Sequence, residues 1–221
     1  MYKRQDIYAP TAQKIFWNHL YQGLYTKGVD SWWLDATEPA YKDGLYPEKQ
    51  TQWSKKAGKT FIGSAARYLN TYSYVLTKMM YENLRKQSDN RASVLTRSAF
   101  AGQQRFGTSI WSGDIYASWD VLKKQLVAGL NICMTGIPYW TTDIGGFRVR
   151  SRENSGEGTG EIGTEIHRNI SSCDGGYAKG LKDSAYLELY TRWFQYGALS
   201  PIFRACLLYT SPSPRDAHES R

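Results

Sequence analysis

The chain has 221 residues, 41% hydrophobic and 14% aromatic, with 28 Lys and Arg against 20 Asp and Glu for a net charge of +8. The basic residues are dispersed, with only short pairs such as Lys55-Lys56 and Lys123-Lys124, so no nucleic-acid partner is expected. No apolar run of about 18 residues exists, so no membrane partner is expected either.

The two ends read differently from the rest. "CLLYTSPSPRD", from residue 206, resembles one reading frame of a transposase adapter used in DNA sequencing libraries. "MYKRQ" (1–5) resembles the opposite strand of the same adapter. Residues 1–5 and 206–221 are therefore expected to be adapter-like scars and are set aside in reading the fold. The part expected to be native, 6–205, keeps 24 Lys and Arg against 18 Asp and Glu, a net +6. It holds two cysteines, Cys133 and Cys173, with neither metal-ligand spacing nor a disulfide framework.

In chain order, Pro10 opens a helical pattern over 11–27, with Phe16, Leu20 and Leu24 at four-residue spacing and Gly28 as its stop. A strand over 29–35 follows, then a polar, Lys-rich loop to about residue 60. Residues 66–89 predict a long helix with Leu69, Tyr72, Leu76 and Met79 on one face. "SVLTR" (93–97) and "TSIWSGD" (108–114) predict strands. Ser118 can cap a helix carrying Trp119, Leu122, Leu126 and Leu130. "ICMTGIPYWTTD" runs toward Asp143, and 148–182 is a loop rich in Gly, Ser and charge. Asp183 can cap a last helix with Leu187, Tyr190 and Phe194, stopped by Gly197. "SPIFR" (200–204) predicts one more strand.

This alternation predicts a parallel sheet with crossover helices. Asp35, Arg97, Asp114, Asp143 and Arg204 all sit at or just past a strand's C-terminal end. In a (β/α)8 barrel those ends converge on one face and build the active site. A doubly wound sheet would also bind ligands at strand ends, but no Gly-rich phosphate loop follows any strand. "NSGEGTGEIG" (154–163) reads as a flexible loop.

The strand ends supply carboxylates rather than a Ser-His-Asp or Cys-His set. His19 lies inside a helix and His167 in the long loop, where structural or solvated roles suit both. Two carboxylates in one pocket flanked by Trp suit glycoside hydrolysis, one attacking the sugar carbon while the other protonates the leaving oxygen. A lone Asp at a strand end is more often a turn residue. Here Trp33 precedes Asp35, and Glu38 and Pro39 follow it.

"WWLDATEP", "TRSAFAGQQRFGTSIWSGD", "GIPYWTTDIGGF" and "RWFQYGALSPIFR" resemble successive motifs of glycoside hydrolase family 31, in the family's order. The resemblance implies a (β/α)8 TIM barrel, here incomplete and covering about strands 4 to 8. It also implies retaining action on α-glycosides, with no cofactor and no metal. By this resemblance Asp35 is the nucleophile and Asp114 the general acid/base. Arg97, Trp111, Asp143 and Phe147 match positions that line the pocket for the cleaved sugar, and Trp33 and Glu38, which flank Asp35, are expected to bind substrate beside them, Glu38 in a supporting role. "WWLDATEP" and "YWTTDIGGF" look most like the α-xylosidase branch, which implies an oligosaccharide substrate such as a xyloglucan fragment. An α-glucosidase or transglycosylase of the same family, or a non-catalytic sugar-binding protein, are the alternatives. The loop 148–182 is longer and more polar than the family pattern. On this reading the 221 residues alone are expected to be inactive. An oligomer of the full-length protein stays open, and a periplasmic or secreted location is favoured over the cytoplasm.

Overall fold

The computed structural model describes residues 6–37, 58–147, 149, 177 and 182–205. Met1–Trp111 with Thr135–Tyr139 form one compact unit, and Ser112–Met134 with Trp140–Arg221 form a second.

In the first unit, helix α1 (Pro10–Gly23) begins on a proline, whose missing N–H costs nothing at a helix start. A 3-10 turn (Tyr25–Lys27) follows it, and Gly28, in the left-handed region at φ 93°, ends the helical path. Strand β1 (Ser31–Leu34) comes next. A two-residue antiparallel ribbon, β2 (Lys59–Thr60) with β3 (Gly63–Ser64), leads into the short helix α2 (Ala65–Tyr68). A 3-10 turn (Leu69–Thr71) separates α2 from helix α3 (Tyr72–Gln87). The single long helix expected over 66–89 is thus divided at 69–71.

Strands β4 (Ser93–Thr96) and β5 (Thr108–Trp111) complete a parallel sheet in this unit. The register pairs Leu34 with Thr96 and Thr96 with Ile110. Alternation along the strands then sorts the two faces. Trp32, Val94, Thr96, Thr108 and Ile110 are buried. Trp32 and Val94 pack with Leu76, Met79, Met80 and Leu84 of α3, and Phe16, Trp17 and Leu20 of α1 lie against this core. Met80 is fully buried, which contributes roughly 1.5–3 kcal/mol. Trp33, one residue from Trp32, is 58% exposed. The link between β4 and β5 carries a 3-10 turn (Gln103–Phe106) rather than a long helix.

In the second unit, helix α4 (Trp119–Met134) starts at Ser118, whose hydroxyl accepts from the Val121 N–H. Strand β6 spans Trp140–Thr141, and helix α5 spans Ser184–Ala198. Asp183 caps α5 by accepting from the N–H groups of Ala185 and Tyr186. Both caps agree with the sequence reading, but only some of the apolar residues it named on these helices are buried. On α4, Val121, Leu122 and Gly129 are buried, while Trp119, Leu126 and Leu130 are exposed. On α5, Tyr186, Leu189, Trp193 and Gly197 are buried, whereas Leu187 and Phe194 are exposed.

Glycine decides both faces. A Cβ on Gly129 would lie 2.7 Å from Trp140 Nε1 and 2.9 Å from the Tyr196 hydroxyl, and one on Gly197 would collide with Ile144. Only hydrogen at these positions lets the elements approach this closely. "SPIFR" forms no extended strand. It accepts bonds from Ile144 N–H at the Arg204 carbonyl and from Thr141 Oγ1 at the Ile202 carbonyl, and Ala205, the next residue, forms a parallel bridge with Ile144. No helix among the described residues is long and apolar enough to cross a membrane.

Candidate active site

Parallel register places Asp35, Arg97 and Trp111 in one row. Leu34, Thr96 and Ile110 are partners across β1, β4 and β5. Trp111 is the next residue of β5, and Asp35 and Arg97 are the residues that follow β1 and β4. These side chains alternate away from the face that α1 and α3 cover. That is why a carboxylate can follow an apolar strand without entering the core.

Asp35 is held at one oxygen. Its Oδ1 accepts from the Ala36 N–H at 2.6 Å and lies 3.3 Å from an Arg97 guanidinium nitrogen. No hydrogen bond to Oδ2 occurs among the described residues, and the side chain is 55% exposed. A half-exposed ion pair contributes only about 0–1 kcal/mol, so its main effect is orientation. The backbone turns sharply here, with Ala36 at φ 51°. A non-glycine residue in the left-handed region costs about 1–3 kcal/mol and persists only where its surroundings hold it. Thr37, buried beyond it, receives the Ser98 N–H at 3.2 Å and shares a hydroxyl–hydroxyl bond with Ser98 at 3.1 Å.

Trp33 stands two residues before Asp35 on the same side of β1 and meets Trp111 edge to face at 5.7 Å. Trp111 is buried, which leaves the exposed Trp33 as an apolar surface beside the carboxylate. Glu38, proposed from the sequence as a supporting residue, lies outside the described residues, as do His167 and nearly all of the loop 148–182.

The remaining sequence candidates belong to the second unit. Asp114 is exposed and follows Gly113, which turns the chain at φ 80° past the end of β5. Ser112 Oγ donates to Thr142 Oγ1 at 3.3 Å, which ties the segment leading to Asp114 to the segment leading to Asp143. Asp143 is 1% exposed, and its Oδ1 accepts from the Arg204 guanidinium. Gly145 and Gly146, at φ 87° and 82°, make the turn after it, closed by the Gly146 N–H on the Asp143 carbonyl at 2.9 Å. The Tyr186 hydroxyl donates to the Gly145 carbonyl at 3.0 Å and anchors that turn to α5. Phe147 is half-buried at its end.

The structure therefore joins Asp35 to Arg97, Trp33 to Trp111, and Asp143 to Arg204. The sequence reading passed over Thr37, Ser98 and Gln103. The signal lay in "TRSAFAGQQRF", where a glutamine interior to an otherwise turn-like stretch is buried completely.

The chain is similar to proteins of one family. The family model described as "Glycosyl hydrolases family 31 TIM-barrel domain" matches residues 3–211, a span that runs into both adapter-like ends. An α-xylosidase of Saccharolobus solfataricus is 36% identical over 196 residues, which cover 87% of this chain and 22% of that protein. An uncharacterized family 31 glucosidase of Pseudescherichia vulneris is 31% identical over 199 residues, 90% of this chain and 30% of its own length. The crystal structure of a family 31 α-xylosidase from Xanthomonas citri superimposes with a TM-score of 0.72 at 33% identity, over 93% of this chain and 20% of that one. The chain thus spans less than a third of the length of these relatives.

Proposed function

This chain belongs to glycosyl hydrolase family 31 as part of that family's TIM-barrel domain, and from that premise we propose that the complete protein is a retaining α-glycosidase that removes terminal α-xylose from oligosaccharides. The observation that carries this reading is the state of Asp35. One oxygen is held by the Ala36 N–H and Arg97, and the other carries no bond among the described residues. A nucleophilic carboxylate needs both a fixed orientation and an available lone pair.

The reaction proceeds in two displacements. Asp35 attacks the anomeric carbon as the glycosidic C–O bond breaks, and Asp114 gives its proton to the departing oxygen. The covalent glycosyl ester on Asp35 is then opened by water. The Asp114 carboxylate takes a proton from that water, whose oxygen bonds to the anomeric carbon, and Asp35 leaves as a carboxylate. Two inversions give net retention. Arg97, Asp143, Trp33, Trp111 and Phe147 are assigned to holding the sugar, and Glu38 to support.

The choice of xylose rests on "WWLDATEP" and "YWTTDIGGF" and on the α-xylosidases among the relatives. A glucose-specific reading has support too, in the relative named as a glucosidase. In the complete protein, Asp35→Ala should abolish turnover of a nitrophenyl α-xyloside with the fold intact. Azide should restore some cleavage and give a glycosyl azide of inverted anomeric configuration. Wild-type-like turnover in that variant would overturn the nucleophile. A kcat/KM for the α-glucoside well above that for the α-xyloside would overturn the sugar, and binding without turnover by the wild type would make the protein a sugar-binding one.

A further inference from the structure

Beyond β1 and β4 the sheet ladder stops, yet Asp35 and Arg97 both lie past those ends. Something other than the ladder must keep them side by side. The buried Gln103 side chain, 0% exposed, lies at the centre of what does. Its Nε2 donates to Thr96 Oγ1 at 3.3 Å and to the Ser98 carbonyl at 3.2 Å. Its Oε1 accepts from the Phe100 N–H at 3.0 Å and from Ser73 Oγ of α3 at 2.9 Å. Two donors and two acceptors are the full capacity this amide uses. The Phe100 N–H can only donate and the Ser98 carbonyl can only accept, so these two partners also fix which end of the amide is which.

The residues tied to Gln103 bracket Arg97. Thr96 precedes it and Ser98 follows it, and Thr96 Oγ1 also donates to the Ser98 carbonyl at 2.8 Å. Ser98 in turn bonds Thr37 twice, through its N–H and its hydroxyl. Thr37, 1% exposed, sits on the far side of Ala36 from Asp35. An unbroken chain of hydrogen bonds, buried at Gln103 and part-buried at Ser98, therefore runs from α3 to the residue that holds the left-handed Ala36 turn.

We propose that Thr37 and Gln103 are positioning residues, a buried hydrogen-bonded latch that fixes the Asp35 carboxylate beside Arg97 for the displacement at the anomeric carbon. The inference rests on the glycosidase reading of Asp35 given above. Nothing in packing alone calls for this set. Apolar side chains of the same volume could fill the space between β1, β4 and α3, whereas a buried polar network is favourable only when every member is satisfied. What the polar set adds is a defined place for two residues that lie outside the strands. Neither Thr37 nor Gln103 touches the substrate in this scheme. Their loss moves Asp35 and leaves the sugar contacts in place.

The test uses the complete protein with nitrophenyl α-xyloside and α-glucoside. Thr37→Val keeps shape and removes the hydroxyl, and Thr37→Ser keeps the hydroxyl and removes a methyl group. The expected result is a kcat loss of about a hundredfold in Thr37→Val, the scale of a small misplacement of reacting groups. KM should be nearly unchanged, and Thr37→Ser should recover most of the loss. Gln103→Leu should act in the same direction if it folds. Wild-type kcat in Thr37→Val, or a loss that Thr37→Ser does not recover, overturns the latch. A wild-type protein that cleaves neither substrate fails the glycosidase reading instead, so the two failures are distinguishable.

Discussion

The Arg204 guanidinium is paired with Oδ1 of Asp143, a carboxylate that is 1% exposed. The pair joins the end of β6 to the segment after α5, and the Ile144–Ala205 bridge lies beside it. A buried carboxylate without its cation is far costlier than either a pair or an apolar replacement. Arg204→Met should therefore destabilise the complete protein by about 3–5 kcal/mol. Arg204→Lys keeps the charge but loses the planar donor fork, so its loss should be smaller. Denaturant unfolding measures both. Equal losses in the two variants would show that charge is not what matters here.

Gly129 faces Trp140 and Tyr196 across a gap that has no room for a methyl group. Alanine ordinarily favours a helix over glycine by about 1 kcal/mol. Gly129→Ala should nonetheless destabilise, by about 1–3 kcal/mol, because the added carbon meets ring and hydroxyl atoms held in the core. A thermal melt showing a gain in stability would mean that α4 can move away from β6 at little cost.

That glycine also explains what the sequence did and did not disclose. Caps are local, and so Ser118 and Asp183 were legible. The opposite placement of Trp32 and Trp33 follows from strand alternation alone. The buried faces of α4 and α5 were not legible, because Leu126 and Leu130 continue from the buried Leu122 as regularly as Gly129 follows Val121. Which stripe turns inward depends on where a neighbouring backbone must come close. The site divides in the same way. Asp35 was visible as a charge at the end of an apolar run, and Arg97 as the end of the next strand. The Thr37–Ser98–Gln103 network was not visible, since its bonds join residues 37 and 98 across two strands and draw Ser73 in from a helix.

Tyr8 gives a pH prediction. Burial pushes its phenol above the usual value, and the Asp6 and Tyr72 charges add to this against a hydrogen bond from Thr71. Its hydroxyl donates to the Tyr68 carbonyl at 2.6 Å. The folded chain thus keeps this proton more tightly than the unfolded one. The resulting stabilisation is complete below the unfolded value of about 10 and is lost as pH rises through the folded value. Tyr8→Phe should be less stable than the wild type at neutral pH, with the difference narrowing above pH of about 10. A constant difference in melting temperature across that range would contradict the assignment.

Asp114 is proposed as the group that protonates the leaving oxygen, and that role has a signature that separates it from a structural one. A nitrophenolate departs readily without a proton, whereas an alkoxide does not. Removal of the acid should therefore penalise substrates in proportion to the basicity of their leaving group. In the complete protein, Asp114→Ala should lower kcat/KM for an alkyl or disaccharide α-xyloside by about 100- to 10,000-fold, the usual contribution of a positioned acid. The loss on nitrophenyl α-xyloside should be much smaller at the first displacement. Asp114 is exposed at the end of a turn set by Gly113, so the fold should survive the substitution. Azide should accelerate the variant by replacing water in the second displacement, where no proton need be removed, and should give a glycosyl azide of retained configuration. That product is the opposite anomer from the one expected of Asp35→Ala, so one reagent distinguishes the two carboxylates. Equal losses on both classes of leaving group, or an inverted azide product from Asp114→Ala, would remove Asp114 from the acid/base role.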